Sequence, residues 1–152
     1  MMEGRWASNI ALVADWPGIG KKGDKMAAYG ENRIGPDGQV LYGKQYAGKG
    51  TISWVTYYDA GAKRIREPDV TSGGATFVGT VWKQSSDTWR YRAVGSNPDG
   101  KRTTADFTIK VSNKGRTHTW SGIVTTEGEE AGHLHDVYHR VSEQREESRE
   151  VE

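Results

Sequence analysis

Three of the four histidines lie close together near the C-terminal end, in His133-Leu134-His135 and at His139. On one extended strand these positions share a face, so three imidazoles could converge on a metal ion. Haem is a further possibility, because a single histidine in an apolar pocket can hold its iron. However, Gly132 and the acidic run 127–130 place His133 in or near a loop, and neighbouring histidines are common on surface strands. We therefore predict no metal and no cofactor, while binding of a metal or haem by these histidines remains open.

A glycine-rich segment, Gly18-Ile19-Gly20-Lys21-Lys22-Gly23, matches the G-x-G-x-x-G pattern of dinucleotide-binding loops. That function requires a strand before the motif and a helix that opens on it. Here Pro17 directly precedes the motif, and Gly30 and Pro36 interrupt the residues that follow, so the sequence predicts no helix. We interpret the segment as a connector between two strands.

The aromatic residues are the most informative feature for function. In the segment Arg116–Val124, alternation places His118 and Trp120 on one face, opposite hydroxyl-bearing residues that suit solvent. A face of this kind is largely apolar with a few polar groups, as in small-molecule sites. We predict that an interior ligand site contains Trp54, Tyr58, Trp89, Tyr91, Phe107, His118 and Trp120.

Some side chains could instead transfer a proton and make the protein an enzyme. The candidates for an acid or base are His118, Glu31, Tyr29 and Tyr57, and Arg90 or Arg92 could hold an anion. Each of these residues is more readily explained as a surface residue or as packing in the core than as a catalytic group.

Length and composition limit the possible architectures. A chain of 152 residues has the size of one ordinary domain, and 20 glycines with six Trp, seven Tyr and two Phe indicate a folded, turn-rich protein. The absence of cysteine excludes disulfides, a thiol nucleophile and Cys-ligated metal. No stretch is apolar enough for a membrane-spanning helix.

Charge is distributed unevenly along the chain. The net charge is +1, of which residues 143–152, with five Glu and two Arg, contribute −3, and residues 1–142 the remaining +4. This excess is too small for a nucleic-acid interface. No signal peptide is visible at the start, and the compartment is left open: it is the cytoplasm for the sequence as given, or the periplasm if a leader has been removed.

Between residues 49 and 141 the sequence reads as strands separated by short turns. The turns Asp59-Ala60-Gly61, Asn97-Pro98-Asp99-Gly100 and Asn113-Lys114-Gly115 contain residues that tolerate a positive φ or preset a bend. Strand starts fall roughly every 12 residues, which favours an antiparallel meander. About nine strands would leave exposed edges unless the sheet closes, so we predict an all-β, up-and-down antiparallel barrel over residues 1–142. We expect residues 143–152 to form a charged, disordered tail.

The order of these elements resembles a bacterial lipocalin-like (calycin) barrel family. The resemblance rests on the opening Gly4-Arg5-Trp6, the glycine-rich connector, Asp37–Leu41 and the segment from Thr51 to Arg64. It covers about residues 3–142 through short motifs. The resemblance implies a barrel that binds a small, largely apolar molecule, and it implies no particular catalytic residue.

Three classes of function are compatible with this sequence. The first is a non-enzymatic module that binds a small apolar molecule inside the barrel, with no nucleic-acid partner. The second is a cofactor-free enzyme, an isomerase, cyclase or lyase that shapes an apolar substrate and transfers one proton. The third is a structural or interaction domain with a filled interior. The three classes differ in whether a pocket is open and whether ionisable groups converge in it.

Overall fold

The computed structural model of the protein describes residues 2–141, which form ten β-strands closed into one antiparallel barrel. The strands are β1 (Gly4–Ala11), β2 (Lys25–Ile34), β3 (Val40–Ala47), β4 (Gly50–Asp59), β5 (Arg64–Thr71), β6 (Thr76–Lys83), β7 (Thr88–Ser96), β8 (Arg102–Ser112), β9 (Thr117–Thr126) and β10 (Glu129–Arg140). Each strand pairs with its neighbours in chain order, and β1 pairs with β10 to close the barrel. The prediction of an all-β, up-and-down antiparallel barrel is confirmed.

The strand count is ten rather than about nine, because β5 was not predicted. Its sequence, Arg-Ile-Arg-Glu-Pro-Asp-Val-Thr, is charged and contains Pro68, which is unfavourable inside a sheet because proline lacks the N–H donor of the ladder. The barrel accommodates Pro68 by interrupting the β4–β5 ladder opposite Pro68 and Glu67, while the same register continues on both sides. A strand that reads as a loop in the sequence therefore completes the barrel.

Alternation along each strand divides inward from outward side chains. The buried residues of β7 and β8 illustrate this: Tyr91 and Ala93 face inward from β7, and Ala105, Phe107 and Ile109 from β8. Intervening positions carry charged or hydroxyl-bearing residues at the surface. The period of two is what a sheet with one buried face requires.

Two inward glycines create the space for large rings on adjacent strands. A Cβ at Gly43 would lie 2.0 Å from Cε2 of Trp54, and a Cβ at Gly79 would lie 2.5 Å from Cε2 of Tyr91. Both distances are far below van der Waals contact. The indole of Trp54 and the phenol of Tyr91 therefore lie directly over glycine backbone, which fixes where these rings enter the interior.

The connector between β1 and β2, residues 12–24, closes one end of the barrel. Its turn is held by hydrogen bonds from the N–H groups of Ile19 and Gly20 to the carbonyl of Trp16, and Ile19 is buried. The Trp16 ring packs against Phe77, with ring centroids 5.6 Å apart. The glycine-rich motif thus forms a tight turn that places two apolar side chains in the barrel end, and no helix follows it.

Helix is a minor component of this fold. In residues 2–141 it is limited to a 3₁₀ turn at Asn113–Gly115, and no helix there has the length and hydrophobicity needed to cross a membrane. The tail predicted for residues 143–152 lies outside the described residues.

Candidate functional site

The interior of the barrel contains a cavity of about 210 Å³. It is lined by side chains from strands all around the barrel and by the 12–24 connector. The aromatic lining residues are Trp6, Trp16, Trp54, Phe77, Tyr91, Phe107, Trp120 and Tyr138. The polar and ionisable ones are Asn32, Gln45, Glu67, Asp69, Thr103, His118 and Asp136. The cavity is thus lined largely by aromatic side chains, with a small number of polar groups.

Three aromatic rings from adjacent strands form one wall of the cavity. Tyr91 on β7 stacks on Phe107 of β8, with centroids 5.9 Å apart and planes 9° apart. Trp120 on β9 meets both rings edge-on, with centroids at 5.6 and 6.2 Å. Such pairs contribute roughly 0.5–1.5 kcal/mol each beyond the area that they bury. The three rings therefore stabilise one another and form an apolar wall of the cavity.

His118 is held in one tautomer by its neighbours. The indole Nε1–H of Trp120 donates to His118 Nδ1 at 3.0 Å. An indole N–H can only donate, so Nδ1 must accept, and the neutral imidazole carries its proton on Nε2. His118 is 5% exposed, and burial lowers its pKa to about 4, so the ring is neutral at pH 7. It packs edge-on against Trp6, with centroids 4.1 Å apart, and stacks on Tyr138.

Two carboxyl groups enter the cavity side by side from β5. Glu67 is 9% exposed and accepts a hydrogen bond from the hydroxyl of Thr56 at 2.6 Å. Asp69 accepts a hydrogen bond from the phenol of Tyr91 at 3.2 Å. Burial raises the pKa of Glu67 to about 7, with a smaller contribution from the nearby Asp69, and burial raises the pKa of Asp69 to about 6. Both acids are thus poised to exchange protons near neutral pH.

A third buried carboxyl lies on β10. Asp136 is among the lining residues, and burial raises its pKa to about 6. Burial also raises the pKa of the neighbouring Tyr138 phenol, which stays protonated at neutral pH. The carboxyl groups and the imidazole of the cavity therefore lie in two places, on β5 and on β9 and β10.

Most of the predicted ligand-site residues lie around the cavity. Trp54, Tyr91, Phe107, His118 and Trp120 line it. The other two predicted residues, Tyr58 and Trp89, do not line it.

Tyr58, near the end of β4, is 61% exposed. Trp89, near the start of β7, is half-buried at the edge of the core, with the Lys83 ammonium 5.8 Å from its ring centroid. Both positions lie near strand ends, where alternation no longer determines whether a side chain reaches the interior.

Among the predicted catalytic candidates, only His118 lies in the cavity. Glu31 is on the outer face of β2 and forms ion pairs with Arg33 and Arg5, and Tyr29 on the same face is 38% exposed. Neither side chain contributes to the cavity lining.

The two arginines of β7 also lie on the outer face. Arg90 and Arg92 both form ion pairs with Asp106 of β8, at 2.7 Å for Arg92. Tyr57 at the end of β4 is 39% exposed. The arginines thus contribute a surface ion-pair network and hold no anion in the interior.

The C-terminal histidines do not form a metal site within residues 2–141. His133, His135 and His139 are exposed on the outer face of β10, whereas Leu134, Asp136 and Tyr138 line the cavity. No group of three potential ligands suited to a metal ion occurs in this part of the chain. His118, with Nδ1 accepting from Trp120 and a proton on Nε2, has no free lone pair to offer haem iron in this arrangement.

Glu67 and Asp69 are the ionisable residues of β5 that were not predicted as site residues. The other lining residues that were not predicted include Trp6, Trp16, Asn32, Phe77, Asp136 and Tyr138. Glu67 and Asp69 lie on β5, which reads as a loop because of its charges and Pro68. A signal was present: strands that recur every 12 residues leave room for one more strand between Asp59 and Ala75. In such a strand Ile65, Glu67 and Asp69 share one face.

Comparison of the chain with protein-family models and with curated proteins finds no match.

Proposed function

We propose that this protein binds a small, largely apolar molecule inside its barrel, in the manner of the lipocalin-like proteins that its sequence resembles. The observation that supports this function is the aromatic cavity: rings on several strands surround an interior space that side chains do not fill. Cavities in barrels of this size hold one small ligand. A volume of about 210 Å³ lies below the roughly 300–1,000 Å³ of pockets for drug-sized ligands, which favours a compact ligand.

In this proposal the aromatic wall, the polar groups and the connector each have a distinct role in ligand binding. The wall of Tyr91, Phe107 and Trp120 provides apolar contact area, and the few polar groups fix the orientation of the ligand. The 12–24 connector shields one end from water, because Trp16 and Ile19 lie among the lining residues.

Fluorescence titration with the neutral apolar probe N-phenyl-1-naphthylamine tests this function. We expect saturable binding that Trp120→Leu weakens, because the substitution removes one wall of the cavity. Trp82→Leu is the matched control, since Trp82 lies on the outer face of β6 and is 39% exposed. Binding that is absent, or that both variants weaken equally, would contradict an interior site. Native mass spectrometry of the purified protein would identify a ligand that is retained.

A second candidate function is a cofactor-free acid–base enzyme acting on a small apolar substrate. The observation that favours it is the pair of carboxyl groups with pKa values of about 7 and about 6 inside the cavity. A general acid or base works best when its pKa lies near the operating pH. Glu67 would exchange a proton with the substrate, while Tyr91 and Asp69 would orient it.

Solvent exchange distinguishes this second function from simple binding. A retained or added ligand with an acidic C–H is incubated with the protein in D₂O, and its mass is followed. Catalysis predicts deuterium incorporation that Glu67→Gln abolishes and that Glu31→Gln, on the outer surface, leaves unchanged. No incorporation above the rate in buffer would exclude this proton transfer for the ligands tested.

A further inference from the structure

The carboxyl groups of Glu67 and Asp69 have no positively charged partner in the cavity. They are two positions apart on β5, so both side chains leave the same face about 7 Å apart along the strand. Each accepts one hydrogen bond from a neutral hydroxyl, that of Thr56 or Tyr91. None of the ion pairs within residues 2–141 includes either carboxyl. No positively charged side chain among residues 2–141 therefore pairs with the negative charge of the two acids.

Strands β4 and β6, which pair with β5, contribute no charged side chain to the cavity lining. Inward from β4 come Trp54 and Thr56, and from β6 Phe77 and Gly79. The titratable group that reaches the pair from β7 is the phenol of Tyr91, which remains neutral. An isolated buried carboxylate is costly unless it is protonated or paired. The negative charge of Glu67 and Asp69 must therefore be neutralised by bound protons or by a bound molecule.

A polar group on β2 also lacks a partner in the cavity, in this case a hydrogen-bond donor. Asn32 lines the cavity and is 5% exposed; its Nδ2 donates to the carbonyl of Met2 at 2.7 Å, whereas its Oδ1 has no hydrogen-bond partner among the described residues. Strand pairing places Asn32, Gly43, Trp54 and Asp69 next to one another across four strands. The indole of Trp54 lies over Gly43, between the Asn32 and Asp69 positions. This side of the cavity thus combines an aromatic ring with an excess of acceptors.

We propose that the ligand is an apolar amine that binds in its protonated form, with its ammonium group beside Glu67 and Asp69 and against the ring of Trp54. This inference rests on the proposed function of interior binding and specifies the ligand class. An ammonium group offers three N–H donors and a full positive charge, which the excess acceptors can accommodate. The indole face adds a cation–π attraction. The apolar part of the ligand packs against the wall formed by Tyr91, Phe107 and Trp120.

The ligand class determines the pH dependence of affinity. An ammonium ion binds best to ionised carboxylates, so the affinity should rise with pH as Glu67 and Asp69 lose their protons. A neutral ligand that accepts a hydrogen bond from a protonated carboxyl would show the opposite trend. The sign of the trend therefore separates the two modes of binding without knowledge of the natural ligand.

Isothermal titration calorimetry with three ligands that share one apolar body tests the inference. The ligands are 4-phenylbutylamine, 4-phenylbutanol and 4-phenylbutyrate, measured at pH 5.5 and pH 8. We expect the amine to bind at least tenfold more tightly than the alcohol at pH 8, a difference of about 1.4 kcal/mol. We also expect its affinity to increase from pH 5.5 to pH 8, and the carboxylate to bind most weakly.

Variants that replace the carboxyl groups by amides of the same shape test whether the ammonium group binds beside Glu67 and Asp69. Glu67→Gln with Asp69→Asn should abolish the preference for the amine and leave the affinity for the alcohol nearly unchanged, and each single variant should reduce the preference in part. Asp106→Asn is the matched control, because Asp106 pairs with Arg90 and Arg92 on the outer face. Far-UV circular dichroism of each variant verifies the fold.

The possible results distinguish the two proposals. Equal binding of the amine and the alcohol, or an affinity for the amine that falls with rising pH, would overturn the inference while leaving interior binding intact. If none of the three ligands nor the neutral naphthylamine probe binds, the proposed function itself fails, and the inference with it.

Discussion

Replacing Glu67 by Gln should stabilise the empty protein at high pH. Burial raises the pKa of Glu67 in the folded state from 4.5 to about 7, so the folded protein holds a proton that the unfolded chain has released between these two values. Stability then decreases as the pH rises through this interval, because the folded state binds more protons than the unfolded state. Gln has the shape of the protonated acid and does not titrate, so the variant lacks this decrease.

The magnitude follows from the difference in pKa. At about 1.4 kcal/mol per unit of pKa, a rise from 4.5 to about 7 corresponds to a loss of about 3 kcal/mol in the free energy of unfolding. We therefore expect similar stability of the two proteins at pH 4.5 and an advantage of about 3 kcal/mol for Glu67→Gln at pH 8. For a chain of this length, such a difference changes the melting temperature by on the order of 10 °C.

Urea unfolding and thermal melting of both proteins at pH 4.5, 6 and 8 would measure this effect. Other titrating groups, among them Asp69, Asp136 and His118, are present in both proteins and largely cancel in the difference. Glu31→Gln is the matched control on the outer surface, where ion pairs with Arg33 and Arg5 lower the pKa of the carboxyl, so it should gain no stability at high pH. Equal stability at pH 8, or greater stability of the original protein, would refute the assignment of Glu67 as a buried acid without a cation.

Two further predictions concern the geometry of the cavity. ¹H–¹⁵N NMR should show His118 with its proton on Nε2 and neutral until the pH falls to about 4, and Trp120→Phe should remove the bond to Nδ1 that selects this tautomer; a protonated ring at pH 6 would contradict it. Gly43→Ala should displace the Trp54 ring and cost roughly 1–3 kcal/mol, measured by urea unfolding, because the new Cβ would overlap the indole. Gly30→Ala is its control, since the nearest atom there would be 3.7 Å away, and equal losses in the two variants would exclude the overlap as the cause.

Much of the fold could be predicted because its determinants are local. Alternation along the strands, and turn residues that tolerate a positive φ, are properties of a few consecutive residues. They predicted the up-and-down barrel and placed His118 and Trp120 on one face. β5 was missed because its inward positions, Glu67 and Asp69, are polar, so the alternation of apolar and polar residues that marks a strand is absent.

Residue type and short-range spacing are enough to specify the all-β architecture, the turns and the aromatic character of the interior. Which rings surround an open space, and which ionisable groups share that space, depends instead on how distant strands pack together. The pairing of β5 with β4 places Glu67 beside Thr56, and the sheet that continues through β6 brings Asp69 within reach of Tyr91 on β7. The same sheet leaves Arg90 on its outer face. Burial then raises the pKa values of the two acids, because desolvation depends on everything that surrounds a group, including residues distant in the chain.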